Sequence, residues 1–196
     1  MKYEFTGEVK VVLGVTLKRI RALVSFGSVA KGEVGGWIEK ESCLAQADGD
    51  AWVYGNARVS GDALVSGDAR VYGDARVYGN AQVSGDALVS GDALVYGDAR
   101  VSGDALVYGK ARVSGDARVN TPFLYATRSD GYGFMCFPQE NGEIMITAGC
   151  RFFTIEQARE HWIKTRSGTK LGDESLALVN FLEHMAKLRG WIKSDS

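Results

Sequence analysis

The chain has 196 residues and a formal net charge of −1, from 23 Lys and Arg against 24 Asp and Glu, so it carries no global pull towards nucleic acid or anionic membranes. Its three cysteines, Cys43, Cys136 and Cys150, are odd in number and lack a CxxC pair, which reads as reduced thiols rather than a disulfide framework. No apolar run approaches a membrane span and Met1-Lys2-Tyr3-Glu4 does not open a signal peptide, so the expectation is a soluble cytoplasmic protein, one elongated domain with end pieces.

Residues 1–44 read as an amino-terminal β cap. Two extended runs, residues 3–12 and 15–26, flank Leu13-Gly14 and predict a hairpin. Residues 27–36 form a loop that delivers Trp37 and Ile38 to the first coil of a repeat.

From residue 45 to residue 120 the chain repeats a six-residue unit, Ala-x-Val-Ser/Tyr-Gly-Asp/Asn, with twelve glycines from Gly49 to Gly115 at a spacing of six. Strand side chains alternate between two faces, so the Ala and the Val point the same way, and their uniformity marks the inward face. Gly and Asp or Asn are turn residues. Helix is excluded, because a Gly every six residues costs roughly 1 kcal/mol each relative to Ala. A hexapeptide is one side of a prism, so three make a coil of eighteen residues, and the run holds about four coils stacked at about 4.8 Å. At that spacing the five tyrosines of the run fall on two of three faces: Tyr54, Tyr72 and Tyr108 on one, Tyr78 and Tyr96 on another.

Thr121-Pro122 breaks the period and opens a carboxy-terminal module, residues 121–196. Three strands are expected at residues 123–128, 132–137 and 143–148, separated by Gly-containing turns. Thr154-Ile155-Glu156-Gln157 reads as a capping box opening a helix to about residue 166. Asp173 is expected to cap a second helix that ends at Gly190, with Leu178, Leu182 and Met185 on one face.

The hexads of residues 45–120 resemble those of left-handed parallel β-helix proteins. The opening residues Tyr3-Glu4-Phe5-Thr6-Gly7-Glu8, then Leu17-Lys18-Arg19-Ile20-Arg21-Ala22-Leu23, then Gly35-Gly36-Trp37-Ile38-Glu39, are similar to a group of such proteins from bacteriophages and prophages. Members of that group are often labelled transferases or polymer-forming proteins. The resemblance implies a mainly β fold: a left-handed parallel β-helix with an amino-terminal hairpin cap and a small carboxy-terminal α+β module.

Many left-handed β-helix proteins are acyltransferases with a histidine as general base. Here the coils hold no histidine and no interrupting loop, and His161 and His184 fall in the predicted terminal helices as surface or packing residues. GxSxG, a Walker phosphate loop and a complete GxGxxG are all missing, and the segment from Arg166 to Lys170 reads as a solvated connection. No catalytic residue, cofactor or metal is assigned. Cys150 and His161 pair only on paper, and a buried structural thiol is the plainer reading. The carboxylates Asp50, Asp68, Asp86 and Asp104 form one column along an edge. Turn chemistry explains it most simply, ahead of a mimic of the nucleic-acid backbone or a calcium row.

The outward residues point instead to contact with partners. Leu88 and Leu106 stack on one face beneath Trp52 and Arg70, beside Tyr54, Tyr72 and Tyr108, and predict a homo-oligomer, a dimer or trimer. Tyr78, Tyr96, Arg58, Arg76 and Arg112 on another face are the candidate partner site, being of the types enriched at binding hot spots. The resulting expectation is a non-enzymatic binding protein whose partner, through the resemblance, is a host protein, with inhibition of a host defence system its most concrete form. The alternatives are an acyltransferase-like enzyme or inactive relative, and a protein that sequesters a small ligand.

Overall fold

The computed structural model describes residues 1–47, 49–120, 123–139, 141–149 and 151–192. The chain divides into two compact units, residues 1–120 and residues 121–196.

The first unit opens with the hairpin, β1 (Tyr3–Val12) and β2 (Val15–Ala22), paired antiparallel. Leu13 and Gly14 have φ of 50° and 80°, the two positive values that a two-residue hairpin turn demands. β2 stops short of residue 26, because Gly27 at φ +47° belongs to a tight turn closed by reciprocal backbone hydrogen bonds between Phe26 and Val29. β3 (Val34–Ile38) pairs antiparallel with β2 on one side.

Among the described residues, twelve two-residue strands follow: β4 (Trp52–Val53), β5 (Arg58–Val59), β6 (Leu64–Val65), β7 (Arg70–Val71), β8 (Arg76–Val77), β9 (Gln82–Val83), β10 (Leu88–Val89), β11 (Leu94–Val95), β12 (Arg100–Val101), β13 (Leu106–Val107), β14 (Arg112–Val113) and β15 (Arg118–Val119). Every third strand pairs in parallel, giving the orders β4-β7-β10-β13, β6-β9-β12-β15 and β1-β2-β3-β5-β8-β11-β14. The registers Trp52↔Arg70↔Leu88↔Leu106 and Arg58↔Arg76↔Leu94↔Arg112 show the eighteen-residue coil directly. The unit is a β-solenoid. It begins one rung before the repeats, because β3 already lies parallel to β5, and it makes about five turns.

Every Ala from Ala51 to Ala117 and every Val from Val53 to Val119 in the hexads is at most 1% exposed. Ala is a weak strand former, so the narrow interior selects it rather than propensity. The corners are tighter than turn chemistry alone requires. At Gly73, φ is +71° and a Cβ would sit 2.9 Å from the backbone nitrogen of Gly91, one coil on. The glycines thus stack backbone on backbone.

The first hexad departs from the expected register. Leu44, not Ala45, faces inward and bridges Val65, twenty-one residues on, and Ala45 is only half-buried. Three additional residues are taken up before Ala51, where the strict period starts. Lys2 and Tyr3 anchor this irregular rung: both backbone N–H groups donate to Gln46 Oε1 (2.8 and 3.3 Å), and the Tyr3 hydroxyl donates to the Leu44 carbonyl at 3.0 Å.

The second unit contains, among the described residues, four strands rather than three: β16 (Leu124–Thr127), β17 (Gly133–Pro138), β18 (Ile144–Ala148) and β19 (Arg151–Thr154), an antiparallel meander in chain order. β19 pairs with β18 across a two-residue connection in which Gly149 has φ +65°, and so short a hairpin leaves little turn signal in the sequence. α1 (Ile155–Arg166) starts at the predicted capping box, with Thr154 Oγ1 accepting from Gln157 N and Gln157 Oε1 accepting from Thr154 N. α2 (Lys170–Leu188) starts earlier than expected: the cap is Thr169, whose hydroxyl accepts the Gly172 N–H at 3.1 Å, and Asp173 lies inside the first turn. Gly190 ends α2 in a Schellman arrangement, with Trp191 N–H donating to Ala186 O and Gly190 N–H to Lys187 O. Leu182 is fully buried in the core between sheet and helices, while Leu178 and Met185 pack at its edge. Cys43 and Cys136 are buried, and burial pushes the Cys136 thiol up to about 12. Thr121-Pro122, Asp48 and Cys150 lie outside the described residues.

Candidate functional site

The amino-terminal hairpin leans over the sheet that carries the candidate tyrosines and arginines. Its tip is strained by the geometry of the turn: Leu13 is a non-glycine residue at positive φ and is 92% exposed. Val12, Leu13, Val15 and Leu17 from the hairpin face Arg58, Ser60, Arg76 and Tyr78 from β5, β8 and the residues after them, enclosing a cleft of about 240 Å³. One wall is therefore aliphatic, and the other offers two guanidinium groups, a hydroxyl and a phenol.

Positive charge accumulates here. Lys10 Nζ lies 3.9 Å from the centroid of the Trp37 ring, and the Arg19 guanidinium lies 5.3 Å from the same ring. Trp37 is in register with Arg58, so these cations adjoin the floor of the cleft. Burial holds the Lys10 ammonium below its ordinary value, and the neighbouring Arg58 and Arg19 add to that effect. Arg19 pairs with Glu8 at 3.3 Å, whereas Arg58, Arg76 and Arg112 have no ion pair among the described residues. Arg58 Nε is buried without a hydrogen-bond partner. Tyr78 and Tyr96 stack with ring centroids 5.1 Å apart and an interplanar angle of 3°. Burial raises the Tyr78 phenol above its usual range, with a further contribution from Tyr96. All five candidate partner residues thus share one face: Arg58, Arg76 and Arg112 in one register column, Tyr78 and Tyr96 beside it. The hairpin's aliphatic wall was not foreseen; Val9 and Val11, 56% and 68% exposed, lie on the opposite face of β1 from Val12.

On the second face Leu88 and Leu106 are register neighbours, as expected, and Tyr54 and Tyr72 meet edge to face at 6.2 Å. Leu106 and Tyr108 are 39% and 47% exposed. Trp52, expected on this outward stripe, is instead fully buried under Tyr3 and Phe26, whose rings lie 6.1 and 5.5 Å from it. The amino-terminal segment therefore covers one end of the apolar stripe and leaves the other open.

The Asp column engages the turns. Asp68 Oδ1 accepts the backbone N–H of Asp50 in the preceding coil at 2.8 Å, and on another edge Asp98 Oδ1 accepts from the Asn80 side-chain amide at 2.9 Å. Lys2 Nζ, which donates to the carbonyls of Gly49 and Ala51, lies in the field of Asp50 and Asp68. His184 is exposed on α2, and His161 on α1 stacks against Phe153 at 5.0 Å, so both belong to the second unit and not to the hexads.

No helix among the described residues is long and apolar enough to cross a membrane. The family profile described as the YdcK beta solenoid repeat matches residues 51–67, 69–85 and 81–97, all within the hexads. No curated protein matches the chain. Profile, register and buried Ala and Val columns agree: this is a β-helix protein of the solenoid-repeat kind.

Proposed function

We propose that the chain is a non-enzymatic binding protein that acts through protein–protein contact, with the hairpin cleft and the Tyr78/Tyr96 face as its partner site. One observation supports this above the others: Arg58 and Arg76, cations without an ion pair among the described residues, lie opposite the apolar hairpin tip. An acidic partner segment carrying one apolar side chain matches both walls. Tyr78, exposed, and Tyr96, half-buried, stack and supply rigid contact area at small entropic cost. The reading carries with it the left-handed winding, the cytoplasmic setting and the phage or prophage context that the resemblance implies, and with that context a host protein as partner, a defence component being the most concrete form. Self-association as a dimer or trimer uses the other face, at Leu88, Leu106, Tyr54, Tyr72 and Tyr108.

The combined variant Tyr78→Ala, Tyr96→Ala, Arg76→Glu should lose a partner that the parent captures from bacterial lysate, with mass and folding unchanged. Equal capture by parent and variant would exclude this face. Light scattering on Leu88→Glu with Leu106→Glu should show a smaller species than the parent, because like charges are forced together across the interface. An unchanged mass rejects that face as the assembly surface.

A further inference from the structure

The second unit holds a polar cleft that the binding reading above does not use. It has a volume of about 380 Å³ and is lined by Arg128, Arg151, Arg166, His161 and Trp162, together with Tyr132 and Thr165. The meander and the first helix build it jointly. The two-residue connection before β19 sets Arg151 next to α1, where its Nη1 lies 3.3 Å from His161 Nδ1. His161 lies four residues before Thr165 and five before Arg166 on α1, and all three line the cleft.

The three arginines are not equivalent. Arg128 is 5% exposed and its charge is already matched: Asp130 takes it in a fork at 2.9 and 2.7 Å, and Ser175 accepts a third bond at 2.9 Å. Its guanidinium stacks over the Tyr132 and Trp162 rings, 4.8 and 5.5 Å from their centroids, which fixes it as scaffold. Arg151 and Arg166 are exposed and have no carboxylate partner among the described residues. Both hold the His161 imidazole below its ordinary value, after the larger effect of burial, so the local field is positive. Trp162 is 3% exposed, and its indole Nε1 is buried with no hydrogen-bond partner. Buried donors in native proteins are normally satisfied, and Trp162, which lines the cleft, carries one that is not.

We propose that this cleft binds a phosphoryl group carried by a small molecule, a phosphate monoester. Two unmatched guanidinium groups equal the charge of about −1.5 to −2 that such a group carries near neutral pH. Guanidinium forks match phosphate oxygens in a way that ammonium does not. The volume exceeds what a phosphate ion fills, which leaves space for the esterified group against the His161 and Trp162 rings, themselves edge to face at 4.8 Å.

Calorimetric titration of the full chain with phenyl phosphate and, separately, with inorganic phosphate tests this. Phenyl phosphate should bind, and the NMR resonance of the Trp162 indole N–H, a group of a cleft-lining residue, should shift as it does. Arg151→Ala and Arg166→Ala should each weaken binding by roughly tenfold or more, the scale of one lost charge-assisted hydrogen bond, and Arg166→Lys should recover only part of it. Both side chains are exposed, so neither substitution threatens the fold. Tighter binding of phenyl phosphate supports an esterified ligand. Equal binding of the two probes overturns the ester and leaves free phosphate. No heat from either probe at millimolar concentration, or unchanged affinity in the double variant, refutes the site altogether. The Tyr78/Tyr96/Arg76 variant should bind phenyl phosphate as the parent does, so failure here and failure of the hairpin-cleft reading are separately visible.

Discussion

Replacing Gly85 by Ala tests whether stacking of the coils, rather than turn conformation alone, holds glycine at the corners. Gly85 has φ +65° and a Cβ built on it would lie 2.8 Å from the backbone nitrogen of Gly103. Gly55 has φ +54°, also in the left-handed region, but a Cβ there meets nothing within 4 Å. Both lie inside the solenoid rather than on its last rung, so fraying does not distinguish them. Left-handed backbone costs an L-residue about 1–2 kcal/mol, and that is the expected effect of Gly55→Ala. At Gly85 the same cost applies, and the coil above must also move by several tenths of an ångström along a hydrogen-bonded stack. Overpacking of that kind costs about 1–3 kcal/mol, so Gly85→Ala should destabilise by about 2–5 kcal/mol in total. Because stability in a solenoid is largely a sum of coil and neighbour terms, the proper assay is local. Hydrogen exchange read by mass spectrometry on peptides from residues 51–120 should show loss of protection centred on the two coils around Gly85, and a smaller loss around Gly55. Equal losses in the two variants would refute the stacking argument and leave positive φ as the whole reason for the glycine.

Two further substitutions probe the interior and the module. Val77→Asp or Val95→Asp places an unpaired carboxylate in a core whose neighbours are all fully buried and should abolish folding of the solenoid; a cooperative melt at the parent's temperature would sink the assigned inward face. Asp130 is held down to about 2 by its hydrogen bonds from Arg128, against about 3.9 for an unfolded Asp. A depressed folded value means that its contribution is complete above about pH 4 and is lost as pH falls through about 2. Asp130→Asn should therefore lower the melting temperature of residues 121–196 near pH 6 and flatten its fall towards pH 2. Parallel melting-temperature curves for parent and variant would show that the pair does not carry this dependence.

The parts legible in the sequence were those with strict local rules. Val and Ala at fixed hexad positions name the inward face, and the Thr154–Gln157 box sets the start of α1, because each signal lies within a few residues of the element it specifies. What escaped depends on distant partners. Trp52 occupies an outward position by parity, yet Tyr3 and Phe26 bury it, and nothing within the hexad announces them. The shift that replaces Ala45 by Leu44 is fixed by pairing with Val65, again across a coil. Arg151–Thr154 is a short strand whose identity comes from β18 beside it. The candidate cleft under the hairpin was half legible: the cations share a register column that counting by eighteen finds, but the aliphatic wall arrives from residues 12–17. The arginine cleft of the module was not legible, since residues 128, 151 and 166 meet only after folding.

The interchangeable interior makes residue number a phase. From Ala51 on, every hexad presents the same Ala and Val to the core, so the solenoid's inside cannot tell one from another, and the outside is addressed only by position within eighteen. Loss of a whole coil would keep every outward column aligned. Loss of the single hexad 61–66 would leave the core formally intact while rotating everything after it by one face, bringing Gln82 and Ser84, instead of Arg76 and Tyr78, beside Arg58. Chain length here can therefore vary in steps of three hexads without rewriting the surface, whereas a one-hexad step scrambles recognition at little cost to the fold.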